Sequence, residues 1–542
     1  MHTVFRSLLF PTGLPVAWRS WLLIGLAMAF FAGAVLSQWH YTPMWDSWIY
    51  ANCVTEAAAH PSQFWRYGCV QHLSHGYVFL LAAVQRLGLS GQPGVLCVNT
   101  LLGIGAILAL YSSARSVLPG PRYRVDCALL TSGWAAFPVF LASAVFVNID
   151  YGVLVFGLMT LACLLRGRLY SAALAGLGLV LSKETGSLVY LAMVAPYLVV
   201  MVGRGPGAPA AKAIRLVRSW PLALPALAVV AYFRWLRGAS LSLWGHQPLG
   251  AVVDQLTTLR LFTRDTAAAA AGIFVLSFFW IPSAVLAAGA VRRAAAFCVG
   301  QPRSAVAGED PRRLRVVLWT AGLATFLLTR PQTSVSVRYF AVLYPLLLLA
   351  FLPALIRFRW GPLPRRFVLG CLAGLFAVSS FRSVDPVSRR VYGVFSFGRH
   401  PMFSMTSINR ECCGHGIDQL VYNLEFTRIA EVLDAAVVGL APTPERPIVV
   451  PDGTDWYLML DMEPRTFRRT MAGAGAIRVP ELELSSLVAH STRPRELSFL
   501  ALPTVDSRPA LQWLAASYWI TDVVTFGSDG YVVEAYRMRR SR

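Results

Sequence analysis

Eleven apolar runs of 14 to 23 residues follow one another through the first 381 residues, at 21–37, 93–112, 126–147, 151–165, 169–182, 187–202, 219–233, 268–290, 315–329, 339–356 and 367–381. Nothing constrains the chain more. In hydrocarbon every backbone N–H and C=O must find its partner within the protein, so runs of this kind are read as helices. Crossing a core of roughly 30 Å takes about 20 residues, and several runs are short for it. The predicted architecture is mainly α, a polytopic transmembrane helical bundle of about eleven spans. A chain that is 56% hydrophobic and 14% charged, with a mean hydropathy of +0.55, is not read as a soluble enzyme.

Charge gives the orientation. Residues 1–381 hold 30 Lys and Arg against 9 Asp and Glu, and residues 382–542 hold 18 against 18. The whole excess of +21 therefore sits in the membrane part. The run Tyr77–Val84 is too short to span before Gln85-Arg86 and reads as a helix lying along the interface. With it set aside, one side receives Arg6, Arg19, Arg115, Arg122, Arg124, Arg166, Arg168, Arg204, Lys212, Arg215 and Arg218. It also receives Arg292, Arg293, Arg303, Arg312, Arg313, Arg315, Arg357, Arg359, Arg365 and Arg366, for 21 of the 30 basic residues. The positive-inside rule makes that side cytoplasmic. The expected N-terminus is inside, the C-terminus outside, and the membrane the plasma (inner) membrane. A cleaved signal in the first run is disfavoured by its length and by the lack of a clear cleavage site. The basic balance reports topology and implies no nucleic acid.

Residues 382–542 are expected to form a small extracytoplasmic α/β domain. Ile417–Val438 has helical spacing, and a Pro-rich break (Pro442, Pro444, Pro447) leads into a strand at Ile448–Val450. Strands are expected at Leu497–Leu502 and Tyr518–Phe526, and a short helix near Ala510–Ala516. The turn Gly527-Ser528-Asp529-Gly530 before Tyr531–Tyr536 is a hairpin signal.

The membrane module, residues 1–381, collects its unusual charges on the outer side: Asp46, Glu56, Asp150, Lys183, Glu184, Asp254, Asp265, Arg330 and Arg338. Ionisable residues at membrane depth are costly, and a functional site is their default reading. Trp45-Asp46-Ser47 opens a first outer loop over 38–92, which also contains Gln71-His72-Leu73-Ser74-His75-Gly76-Tyr77. Asn148-Ile149-Asp150-Tyr151, Ser182-Lys183-Glu184-Thr185-Gly186 and Arg338-Tyr339 before Tyr344-Pro345 follow at outer junctions. Each residue has an ordinary reading beside this one. Asp46 could cap a helix beginning at Ser47, and Asp150 could be a loop acid or cap. Lys183-Glu184 could be an exposed ion pair, and Arg338 could snorkel. Lys183 is one of two lysines in the chain.

In order, sidedness and residue type these motifs resemble the GT-C superfamily of polytopic glycosyltransferases. The protein O-mannosyltransferases and the lipid A aminoarabinose transferase are nearest in pattern, and the likeness covers roughly residues 20–360. The resemblance implies that Asp46 is the essential acid of the first outer loop. It likewise implies substrate-binding roles for Asp150, Lys183, Arg338 and Tyr339, and Glu184, next to Lys183, is a further substrate-binding candidate. Two departures leave the sugar, hexosyl or pentosyl, open. Asp46 is followed by Ser47 rather than by an acid or Gly, and Ser74-His75 stand where Pro-Pro is usual.

The implied partners are a polyprenyl-phosphate sugar donor, a glycan, lipid or protein acceptor, and membrane lipids. Such a donor carries its own good leaving group, so the site must supply a base for the acceptor hydroxyl and cations for the phosphate. Asp46 suits the base, Arg338 and Lys183 the phosphate. No cofactor is implied. Some members of the superfamily need a divalent ion, against which the single Asp150, with no second acid beside it, argues. His72 and His75 lack an Asp, Glu or Cys to complete a metal set. A transporter or flippase of a lipid-linked glycan is the competing reading, and it is disfavoured by the absence of a visible internal repeat. Cys53 and Cys69 share the outer loop and are candidates for a disulfide.

Overall fold

The computed structural model describes residues 15–39, 46–62, 75–203, 209–237, 272–298, 308–329, 337–358, 360–381, 385–392, 394–397, 400–403, 432, 435–443, 445–450, 481–483, 494–501, 508–528 and 531–541. Each of the eleven apolar runs is built around a helix. In chain order the helices include α1 (Val16–Leu36), α2 (Asp46–Ala59), α3 (His75–Arg86), α4 (Gly91–Val117), α5 (Arg124–Ala135), α6 (Pro138–Ala144), α7 (Ile149–Leu165), α8 (Leu169–Val180) and α9 (Glu184–Tyr197). They continue through α10 (Pro209–Arg218), α11 (Leu224–Arg237), α12 (Trp280–Cys298), α13 (Pro311–Thr329), α14 (Leu343–Arg357) and α15 (Pro362–Phe381). Among the described residues, five helical segments are long and apolar enough to cross a membrane alone, and seven if each of two bent pairs is one span. Three more apolar helices, α7, α8 and α14, are shorter.

The run 126–147, expected as one span, holds two helices. Its two helices meet at 56° between Ala135 and Pro138. Pro138 has no N–H to donate and is tolerated at the first position of a new helix, not inside an old one. The bend carries Phe137 into an aromatic core, with ring centroids 4.7 Å from Tyr344, 4.9 Å from Phe376 and 5.7 Å from Phe279. Asp126 lies on the first turn of α5 and is fully buried. It accepts from Arg365 Nε and Nη2 at 3.0 and 2.5 Å and from Arg366 Nε at 3.1 Å, joining α5 to α15. Nearby, Arg357 meets Glu309 at 2.6 Å, the Asp310 N–H donates to the Val117 carbonyl at 2.9 Å, and Arg313 Nη1 donates to the Ser116 carbonyl at 3.2 Å. Turns distant in sequence but rich in arginine thus meet at one end of the bundle.

Helices α7 and α8 form a hairpin that starts from that end. Gly167, at φ +72°, terminates α7 in the left-handed conformation. Its N–H donates to Leu164 and that of Arg168 to Cys163, both at 2.9 Å, a Schellman closure. The two helices are 17 and 12 residues long, so at 1.5 Å per residue they rise only about 26 and 18 Å. Each stops short of a bilayer core of roughly 30 Å. The residues at their far ends, Asp150 and Lys183, are buried within the bundle.

After α15, α16 (Pro386–Tyr392) begins at Asp385, which accepts from the N–H groups of Phe278, Val387 and Ser388 and from Trp280 Nε1. The first residues after 381 are thus tied to the start of α12. A hairpin of β1 (Val394–Phe397) and β2 (His400–Phe403) follows. A five-stranded sheet has the order β4 (Glu481–Glu483), β3 (Ile448–Val450), β5 (Glu496–Ala501), β7 (Tyr531–Arg540), β6 (Tyr518–Ser528). Strand β3 runs parallel to β4 and β5, and β5, β7 and β6 are antiparallel. Alternate side chains feed two faces. Val449, Leu497, Phe499 and Met538 pack with Ala510 and Leu514 of α17 (Arg508–Ala515) on one of them. The hairpin signal is realised as β6–β7, paired to Ser528–Tyr531. Most of Ile417–Val438 lies outside the described residues.

Candidate functional site

The segment between α6 and α7, residues 145–148, is not helical, so its carbonyls need partners from elsewhere. Side chains of α4 supply them. Gln92 Nε2 donates to the Val145 carbonyl at 2.6 Å, and Asn99 Nδ2 donates to Ala144 and Phe146 at 2.9 and 3.1 Å. Asn99 Oδ1 in turn accepts from Tyr77 of α3 at 2.7 Å, and the Asn99 carbonyl from Tyr151 at 2.6 Å. The buried polar network fixes where α7 begins. Asn148 is the N-cap of α7, its Oδ1 accepting from the Asp150 N–H at 2.9 Å.

Asp150 therefore stands on a fixed first turn, buried, and points at the turn between α8 and α9. Lys183 Nζ donates to its Oδ1 at 2.8 Å. Arg338, on the short helical turn Val337–Phe340, approaches Oδ2 through Nε at 3.9 Å, an ion-pair distance too long for a hydrogen bond. Tyr339 completes the group. Lys183 Nζ lies 4.2 Å and Arg338 Cζ 5.5 Å from its ring centroid, both within cation–π range. All three charged side chains are at most 9% exposed. Burial works against the Lys183 ammonium, but the Asp150 charge and hydrogen bond and the Tyr339 phenol outweigh it, and the amine stays above its ordinary value.

Four of the residues singled out in the sequence are thus brought together from three separate stretches of chain. The exposed ion pair considered for Lys183-Glu184 is not seen. Both side chains are buried, and Lys183 pairs with Asp150 instead. Glu184 takes the first turn of α9 and is coupled electrostatically to Tyr232 of α11, whose ring meets His75 edge-on at 4.8 Å. Asp46 opens α2, and its side chain lies outside the described residues, as do His72 and Cys69. Cys53 is disulfide-bonded.

Sequence reading passed over Asn99, Gln92 and Tyr232. The available signal for the first two was an amide in each of two outer turns of an apolar helix, where only a partner within the protein makes burial tolerable. Among the described residues no group of three or more His, Cys, Asp or Glu is placed to hold a metal ion.

No family model matches the chain, and no curated protein matches it. Solved structures do. Two are archaeal oligosaccharyltransferases from Archaeoglobus fulgidus. One is AglB in complex with an inhibitory peptide and a dolichol-phosphate, at 12% identity and TM-score 0.41, over 66% of this chain and 54% of that one. The other is an apo form at 11% and 0.44, over 82% and 63%. A third, ArnT from Cupriavidus metallidurans bound to undecaprenyl phosphate, matches over 97% of this chain and 98% of its own, with 14% identity and a TM-score of 0.51. Over nearly its whole length, the chain has the fold of this ArnT.

Proposed function

We propose that the chain is an integral-membrane glycosyltransferase of eleven spans that takes a hexosyl or pentosyl group from a polyprenyl-phosphate donor on the extracytoplasmic side and gives it to an envelope glycan, lipid or protein. The observation that carries this reading is the meeting of Lys183 and Arg338, 155 residues apart in sequence, on Asp150 and Tyr339. Two cations gathered at one buried carboxylate suit an anionic ligand, in this reading one whose tail remains in lipid while its head approaches water. The undecaprenyl phosphate bound by the similar ArnT is of that kind.

In this reading the acceptor hydroxyl attacks the anomeric carbon. Its proton passes to the Asp46 carboxylate as the new glycosidic bond forms. The bond from the anomeric carbon to the phosphate oxygen breaks, and its electron pair leaves with the polyprenyl phosphate. Lys183 and Arg338 meet the charge that collects on that phosphate, Arg338 through its planar fork and Lys183 as a point charge. Asp150 positions both. Glu184, beside Tyr232, borders the sugar or the acceptor.

The test is release of free polyprenyl phosphate by the purified protein from a mixture of lipid-linked sugars. Asp46→Asn is expected to lower kcat by at least about 10²-fold, the lower range for a general base, while donor binding persists. Lys183→Ala and Arg338→Ala are expected to weaken donor binding, and also turnover if their contacts tighten as phosphate departs. A well-folded Asp46→Asn protein with normal turnover would remove Asp46 from the mechanism. Envelope glycans of a deletion strain, compared by mass spectrometry, would identify sugar and acceptor.

A further inference from the structure

Helix α10 has no buried residue, although it sits between two apolar helices. Its sequence explains how that is tolerated. Lys212, Arg215 and Arg218 recur every third residue and share one face, while Ala210, Ala213, Ile214 and Val217 fall on the opposite one. Ile214 and Val217 are 55% and 72% exposed. The apolar face is continuous with a larger exposed strip. After the turn at Ser219 the chain bends by 51° into α11, and Trp220, Leu224, Leu227 and Val230 carry exposed apolar surface along it. Trp220 packs edge-on to the exposed Tyr170 at 6.1 Å, beside the Arg166–Arg168 turn. An aromatic pair at the end of apolar helices marks the water–hydrocarbon boundary.

From residue 185 to residue 253 the chain has six Lys and Arg and no Asp or Glu. A short helix bent off a span at the aromatic boundary, apolar toward the hydrocarbon and cationic along the opposite face, has the pattern of a helix lying in the membrane surface. We propose that α10 is an interfacial anchor whose Lys212, Arg215 and Arg218 bind the headgroup phosphates of anionic phospholipids in the adjoining leaflet. It stands at the arginine-rich end of the bundle, away from Asp150 and Lys183, and does not depend on the catalytic reading.

The test uses full-length protein in vesicles. A fluorophore is attached at Val217→Cys in a background carrying Cys298→Ser and Cys371→Ser. It is quenched by brominated phosphatidylglycerol or brominated phosphatidylcholine at equal mole fraction. Phosphatidylglycerol is expected to quench more strongly. The preference should fall about fivefold for each cation removed toward Lys212→Gln/Arg215→Gln/Arg218→Gln, while quenching by phosphatidylcholine persists and reports that the helix still lies in the interface. Raising the salt on the unsubstituted cationic face should erode the same preference, so the test survives a triple variant that fails to fold. Equal quenching by the two lipids, a preference that outlasts both charge removal and salt, or a probe that neither lipid quenches because protein covers it would each overturn the proposal.

Discussion

At the scale of single residues, the balance around Asp150 decides what a substitution does. A buried ion pair contributes little net stability, but breaking one by deleting a partner costs about 3–5 kcal/mol because it strands a charge. Asp150→Asn leaves Lys183 and Arg338 without the carboxylate that gathers them, and it is expected to lower thermal stability in detergent together with donor binding. Lys183→Met combined with Asp150→Leu removes both charges of the 2.8 Å pair. That double variant should recover much of the lost stability and none of the turnover. Recovery of both would reduce the pair to a packing device. The Lys183 amine, held above its ordinary value, also sets a sign. Its folded pKa is raised, so its contribution to stability is complete below the unfolded pKa and is lost only as pH rises through the folded one. Across about pH 6 to 9 it should therefore add no titration to stability or donor binding. A slope there must come from another group. Asp150, Lys183 and Arg338 stood out in the sequence because charge at membrane depth is rare, and Tyr339 entered only through the resemblance of Arg338-Tyr339 to the family motif. Asn99 and Gln92 did not stand out, because an amide shows its purpose only once the broken backbone it satisfies is in view.

Among elements, the site depends on how closely α7, α3 and the α8–α9 turn approach. Gly152 lies two residues after Asp150 in the first turn of α7, and a Cβ there would lie 2.8 Å from Ser182 Oγ and 2.9 Å from Tyr77 Cβ. No side chain fits without displacing the turn that carries Lys183. Gly152→Val should cost about 1–3 kcal/mol by overpacking and lower turnover further than its loss of stability alone would, because it wedges Lys183 away from Asp150. Normal activity at reduced stability would show that the pair tolerates the shift. The helices themselves follow from the apolar runs. The break at Pro138 was harder to read, since a proline in a membrane helix can kink it or end it, and the aromatic core around Phe137 decides between them. In the C-terminal region strands β3, β5, β6 and β7 are visible as short apolar runs bounded by turns. The pairing order is not, because registers between distant strands leave no local mark. Cys53 belongs to this scale too. Peptide mapping without reduction should find it joined to Cys69, a closure expected to stabilise the outer loop by about 3 kcal/mol, and recovery of Cys53 with another partner would reject that pairing.

For the whole molecule, every site assignment rests on one orientation. The arginine-bearing turns meet at one end of the bundle through Asp126–Arg365 and Glu309–Arg357, and the Asp150–Lys183 group forms at the other. If the positive end is cytoplasmic, the two ends must differ toward a thiol reagent that cannot cross the membrane. Residue choice matters here, because Ser47 lies in the outer loop but is buried and would not react. His60 and Gly361 are exposed, the first after α2 and the second between the arginines at 359 and 365. In a background carrying Cys298→Ser and Cys371→Ser, His60→Cys should be labelled above the parent level in intact cells. Gly361→Cys should be labelled only after the membrane is made permeable. The reverse pattern would put Lys183 and Arg338 in the cytoplasm and would remove the extracytoplasmic donor from the proposed reaction. Labelling of both in intact cells would mean an even number of crossings between the two positions, as would follow from α3 crossing, although its 12 residues rise only about 18 Å, or from the bent pair α5–α6 entering and leaving on one side.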